Sequence, residues 1–205
     1  MIKNYVTRGH IFYRGGILAI AKWLTLREKE AMGIKKTYVQ QLHYDGEKYT
    51  KGAVVDLYEK YGICCDVPFK LFPETKELVT REWAGKDGRD VYIPKNIPLA
   101  AYDIDVECMY KGTDDKMRYN IEAFLKFMYG RNVGATGGRL AVYDEYTKTG
   151  RKDMHLKEVG DDIYYDVDYD DEQFAKFKIT LAVEDPSTEV TVITEDGKVT
   201  DLKFD

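Results

Sequence analysis

The side chains most able to act together are two rows of carboxylates. In Ala100–Tyr110, AAYDIDVECMY, the residues Asp103, Asp105 and Glu107 alternate with Tyr102, Ile104, Val106 and Cys108. A strand sends successive side chains to opposite faces, so this spacing predicts one apolar face and one acidic face. In the run DVDYDD the same alternation turns Asp166, Asp168 and Asp170 outward and Val167 and Tyr169 inward. Paired carboxylates can do hydrolytic acid–base work or hold a hard cation. The second row starts like a calcium loop, but Asp171 stands where that loop needs glycine and Phe177 where it needs a bidentate glutamate. With 36 Asp and Glu in the chain, acidic pairs carry little specificity for glycosidase chemistry. The plain reading of both rows is a solubilising surface. A sharper one is a wall lining a channel, where like charge denies DNA the counterion-release gain that drives binding.

Other chemistry finds less support. His10, His43 and His155 are scattered, with no second ligand at the local spacing that zinc sites use. The segment from Gly134 through Ala135 and Thr136 to Gly137 and Gly138 is glycine-rich like a phosphate loop. It follows a helix instead of opening one, and no Lys-Ser/Thr pair comes after it. No G-x-S-x-G element or local Cys/His pair suggests a nucleophile. Three cysteines, two of them adjacent at Cys64 and Cys65, make no disulfide framework and read as reduced thiols. The expectation is a protein without catalytic, cofactor or metal residues.

Composition agrees with an assembly or binding role. The chain has 205 residues, 44% hydrophobic and 33% charged, enough to bury a real core. Its formal net charge of -5 argues against a general nucleic-acid binder. Seventeen tyrosines suit half-buried strands and interfaces. No run reaches the roughly 18 apolar residues of a membrane span, and the start lacks a signal-peptide pattern. Synthesis in a cytoplasm is expected.

The elements that must hold these residues are mostly strands. Ile17, Ile20, Ala21 and Leu24 fall at helical spacing before Gly33. Strands around Thr37–Tyr44 and Lys48–Val55 are predicted to join at Asp45-Gly46. Pro68 ends the run before it or makes it an edge strand, and Asp87-Gly88 marks another turn. Met117, Ile121, Phe124, Leu125 and Met128 form one apolar stripe of a helix, with Thr113, Asp114 and Asp115 as N-terminal caps and Gly130 as its stop. Strands follow at Arg139–Asp144, Lys152–Val159, Ile163–Asp170 and Gln173–Val183, and a last hairpin turns at Asp196-Gly197. The fold expected is α+β and β-rich, an antiparallel β-sandwich or small barrel with one flanking helix. Residues 1–50 are expected to be an N-terminal arm that orders on assembly, and residues 51–205 the β-sandwich domain.

The order of these segments resembles a known family. VVDLYEKYGICCDVPFKLFPETKEL leads to EWAGKDGRDVYIP, then to the strand YDIDVECMYKG and the helix NIEAFLKFMYG, then to RLAVYDEYTKTGRKDMHL and AKFKITLAVEDP. Trp83, Asp87, Gly88 and Asp90 fit a W-x-x-x-D-G-x-D segment entering a strand, and Leu140, Asp144 and Glu145 an L-x-x-x-D-E strand. This is similar to the tail proteins of long-tailed bacteriophages, above all distal-tail (tail-hub) proteins, whose ring domain shares its fold with tail-tube proteins. The similarity spans about Val54–Pro186. The sequence departs from it in a long N-terminal segment and in lacking an extra C-terminal module.

The resemblance implies a tail-tube-like sandwich, assembly into a ring of six or pseudo-six subunits, and no enzymatic activity. The expected partners are copies of itself and the tail proteins above and below, with DNA only as passing cargo and no membrane. The virion tail is the expected location. In that setting Asp103, Asp105, Glu107, Asp166, Asp168 and Asp170 would face the lumen. The turn Glu145–Arg151, with Asp144, Glu145, Lys148 and Arg151, would contact the next ring, and the glycine-rich loop would adapt to a neighbour. The rival expectation is a small β-rich module binding carbohydrate or peptide, which would need an exposed tryptophan among Trp23 and Trp83. A hydrolase would need two acids converging in a cleft.

Overall fold

A computed structural model describes residues 36–113, 116–160, 164–167 and 172–204. The expected helix before Gly33 lies outside these residues, as do Trp23, Asp114 and Asp115.

The chain divides before Lys36, and the second unit runs from there to Asp205. The boundary expected at residue 50 is therefore too late. Strand β1 (Thr37–Tyr44) lies inside the main sheet, hydrogen-bonded to β2 (Tyr49–Asp56) on one side and β7 (Arg139–Asp144) on the other. A strand with partners on both edges is part of the sheet, not an arm. Asp45 and Gly46 make the turn, with the Asp45 carboxylate accepting from the amides of Glu47 and Lys48.

The main sheet is antiparallel throughout. Besides these three strands it contains β3 (Ile63–Asp66), β6 (Tyr102–Thr113), β8 (Thr149–Val159), β9 (Tyr164–Val167) and β10 (Glu172–Val183), in the order β2-β1-β7-β8-β10-β6-β3. The strand β9 pairs with the N-terminal part of β10 and β8 with its C-terminal part, while β6 pairs along all of it. The 12-residue strands β6 and β10 thus form the long central ribbon.

Ile104, Val106, Cys108 and Tyr110 on β6 are buried beside Leu181, Ile179, Phe177 and Ala175 of β10, their register partners. This is the apolar face read from the alternation. Helix α2 (Met117–Met128) belongs to the same core through Ile121, Phe124, Phe127 and Met128, with the Phe124 and Phe177 rings 6.1 Å apart. Its stop is as the sequence implies. Gly130 takes a left-handed φ of 66°, its amide bonds to Phe127 O, and the Arg131 amide bonds to Lys126 O, the Schellman pattern. Its start is not, because Lys116 occupies the N-cap and makes no side-chain capping bond.

A second, short helix, α1 (Leu57–Tyr61), was not expected. Asp56 caps it by accepting from the Tyr58 and Glu59 amides, and Gly62 ends it at φ 67°. The signal was present as an acid three residues before Glu59 and a glycine after the turn. Tyr61 from α1 meets the rings of Phe124 and Phe127, each at 6.0 Å.

The opposite face of the sheet carries the hairpin β11 (Val190–Glu195) and β12 (Lys198–Phe204). Its turn residues Asp196 and Gly197 both have positive φ, as a two-residue hairpin turn of this hand requires. Val190 and Leu202 are buried against Leu42, Ala141 and Tyr143. The result is the β-rich antiparallel sandwich with a flanking helix, its second layer being a two-stranded sheet.

Candidate functional site

The first acidic row lies where the alternation places it, but it is not a bare row of acid. Asp103 and Asp105 are exposed and Glu107 half-buried, on the face away from α2. Lys157 of β8 bonds Asp103, Thr180 of β10 donates to Asp105 at 2.9 Å, and Lys176 of β10 reaches Glu107 at 3.1 Å. Lys178 sits directly across from Glu107 in the ladder. Three carboxylates therefore face three lysines. The bond to Asp103, then its charge, raises the Lys157 ammonium above its ordinary range, so the lysine stays charged. Such a face is a neutral ladder of cross-strand pairs.

Of the second row, Asp166 lies on β9 opposite Phe174. Asp168 and Asp170 lie outside the described residues.

The turn after β7 is tighter than expected. It occupies residues 145–148, because β8 already begins at Thr149 and Gly150 pairs with Tyr143. Asp144 is buried and caps the turn, accepting from the amide and hydroxyl of Thr147 at 2.9 and 2.8 Å. Glu145 is tied inward, exchanging bonds with Lys36 through backbone and carboxylate. Arg151 is a strand residue, only 4% exposed, opposite Val142. Only Lys148, at φ 54°, projects into solvent from this set. As a contact surface the four residues do not act together, since three of them are occupied within the fold.

The glycine-rich loop is likewise fixed. Gln41, buried on β1, donates to Phe127 O and Asn132 Oδ1 and accepts from the Thr136 amide, bridging helix end and loop. A Cβ at Gly137 would lie 2.3 Å from the Leu42 carbonyl oxygen, so the glycine is demanded by close backbone approach. The loop is thus tied to β1 at Asn132, Thr136 and Gly137, while Arg131, Val133 and Gly134 stand exposed.

What remains open is an excursion between β3 and β6. Residues 70–98 leave the sheet and return, carrying only the three-residue strands β4 (Thr80–Glu82) and β5 (Arg89–Val91), which pair with each other. Thr75 bridges to Leu99, Lys76 donates to Pro98 O, and Ala100 donates to Glu74 O, so the two ends are clamped side by side. Beyond the clamp, and just before it at Leu71 and Phe72, almost every residue is exposed. Leu71 and Val79 are 74% exposed, Phe72 93%, Tyr92 70% and Ile93 65%. Eight of the fourteen large apolar side chains that stand exposed among the described residues fall within residues 71–97. The sequence showed the turn at Asp87-Gly88 and the apolar run before Pro94, but not that nothing within the described chain covers them.

Trp83 is in this excursion and 46% exposed. Its indole donates to Asp90, and the Arg81 guanidinium lies 3.6 Å from the ring centroid. One ring face is therefore taken by Arg81, which leaves less of the flat platform a sugar ring would stack on.

Among the described residues no group of three or more His, Cys, Asp or Glu side chains is placed to hold a metal ion. Nor is any helix among them long and apolar enough to cross a membrane. No protein-family model matches the chain, and no curated protein matches it closely enough to count as a relative.

Proposed function

We propose that this protein is a structural subunit that joins copies of itself into a ring, of the kind built at the hub or along the tube of a bacteriophage tail. The observation that carries this reading is the apolar excursion at residues 71–97. That so many exposed large apolar side chains fall in one segment supports a partner's site there. Phe72 and Tyr92 are aromatic residues of the kind enriched at the core of interfaces.

A ring suits the geometry. Each copy lends its excursion to the next and receives one from the copy before, a head-to-tail contact that closes on itself. The main sheet ends on β2 and β3, and terminal strands are where a sheet is continued across a subunit boundary. The neutral ladder of Asp103, Asp105 and Glu107 with their lysines offers a passing polyanion no basic anchor.

Sedimentation velocity and negative-stain electron microscopy of the purified full-length protein test the reading. The expected result is a discrete oligomer seen as a ring with a central opening. A single monomeric species at every attainable concentration overturns it.

A further inference from the structure

We propose that Cys65 and Cys108 are a site of reversible oxidation, closing a cross-strand disulfide when the protein leaves a reducing environment. The two residues are direct register partners on β3 and β6. Directly opposed antiparallel residues have Cα atoms about 4.5–5.5 Å apart, inside the span a disulfide bridges. The two sulfurs already lie 3.3 Å apart as free thiols, and a bond needs them only about 1.2 Å closer. The strand β3 is four residues long and terminal in the sheet, so it can make that adjustment.

The site is selective. Cys64 is the neighbour in sequence, but it opposes Met109 and alternates to the other face. Cys108 is fully buried, whereas Cys65 is half-buried on the terminal strand β3, which makes it the more accessible residue of the two. The adjoining Cys108 thiol, then burial, push the Cys65 thiol well above its ordinary range. Thiolate is the attacking species, so oxidation is slow and the dithiol persists where glutathione is kept reduced.

The oxidant is a small disulfide such as oxidised glutathione. Cys65 thiolate attacks one of its sulfurs, the S–S bond breaks and a glutathione thiolate leaves. Cys108 then gives up its proton and attacks the Cys65 sulfur of the mixed disulfide, expelling the second glutathione. Two electrons pass to the reagent, and the two thiol protons end on the two glutathione thiols. The product encloses residues 65–108, and with them the whole apolar excursion, in a covalent loop. None of this depends on ring formation.

The test compares reduced full-length protein with protein incubated in oxidised glutathione. The readouts are titration of free thiols after denaturation, peptide mapping and thermal melting. Three titratable thiols should fall to one, with a peptide joining Cys65 to Cys108. The melting temperature should rise by about 5–10 °C, and dithiothreitol should reverse both changes. Cys64→Ala should go from two thiols to none with the same rise, and Cys65→Ser should show no bridge and no rise. If Cys64→Ala keeps two thiols, or if the wild type yields only glutathione adducts or bridges through Cys64, the proposal fails.

Discussion

Gln40 and Gln41, consecutive on β1, send their amides to opposite faces of the main sheet, and each fastens the layer it meets. Gln41 holds the end of α2 and the glycine-rich loop, while Gln40 donates to Gly52 O and to Asp201 of β12 at 2.7 and 2.8 Å. Both are buried, and the Gln41 amide is bonded at its nitrogen and its oxygen, which fixes geometry more than an aliphatic side chain does, whereas Gln40 is held through its nitrogen alone. Gln41→Leu leaves the Thr136 amide without its acceptor. We expect a loss of about 1–3 kcal/mol in urea unfolding, together with faster hydrogen exchange at Thr136.

The excursion can be tested apart from the sheet. The triple substitution Phe72→Ser, Tyr92→Ser and Ile93→Ser removes exposed apolar surface and no core contact. The monomer fold, followed by circular dichroism, should be unchanged and the melting temperature near that of the wild type. Oligomers should be lost in sedimentation velocity. Retention of full-size oligomers by the triple variant would show that other surfaces hold the copies together.

Acid stability should depend on Asp185. Burial alone would raise its carboxyl, but bonds from the side chains and amides of Thr188 and Ser187 outweigh it and hold the group down at about 2, from an ordinary 3.8. A depressed value stabilises the fold above pH 3.8, and that contribution fades as pH falls through about 2. After discounting for solvent screening it amounts to about 1–2 kcal/mol. Asp185→Asn should flatten the loss of stability between pH 4 and 2 in acid titrations.

At the alkaline end Tyr49 sets the sign the other way. Burial first, then its bond to Asp153, push the phenol up to about 12 from 10.0. The neutral phenol is favoured in the folded state, so its contribution is complete below pH 10 and lost as pH rises through 12. Tyr49→Phe should melt with less pH dependence across that window. The variant should also mobilise Arg139, whose guanidinium shares the Asp153 carboxylate.

Neutralising the exposed ladder should leave folding alone. Asp103→Asn with Asp105→Asn and Glu107→Gln removes pairs that lie on the surface, where ion pairs contribute little. Thermal melting should be unchanged. The variant face then keeps Lys157, Lys176 and Lys178 without their acids, and heparin retention should increase.

Local signals were read correctly where the physics is local. The hairpin at Asp45-Gly46, the alternation of β6, the stripe and glycine stop of α2 and the turn at Asp196-Gly197 each depend on residues within a few positions. The acidic row was read correctly as a face and incompletely as an environment, because Lys157 and Lys176 reach it from strands more than fifty residues away. Only the strand order brings them together. Arg151 looked like a turn residue from its polarity, yet the ladder with Val142 begins before it. The excursion was the least legible. Its apolar residues are those a buried strand would have, and sequence alone does not say whether a layer lies above them.

The clamp of Thr75 to Leu99 brings the excursion out of and back into the sheet at one point. To β3 and β6, whatever lies between those two residues is a detachable cassette. Its length and contents should be exchangeable without shifting the register of β3 on β6. A foreign peptide epitope grafted between Lys76 and Pro98 should be displayed by an unaltered scaffold, since one continuous segment of the gene encodes everything between the two ends of the clamp.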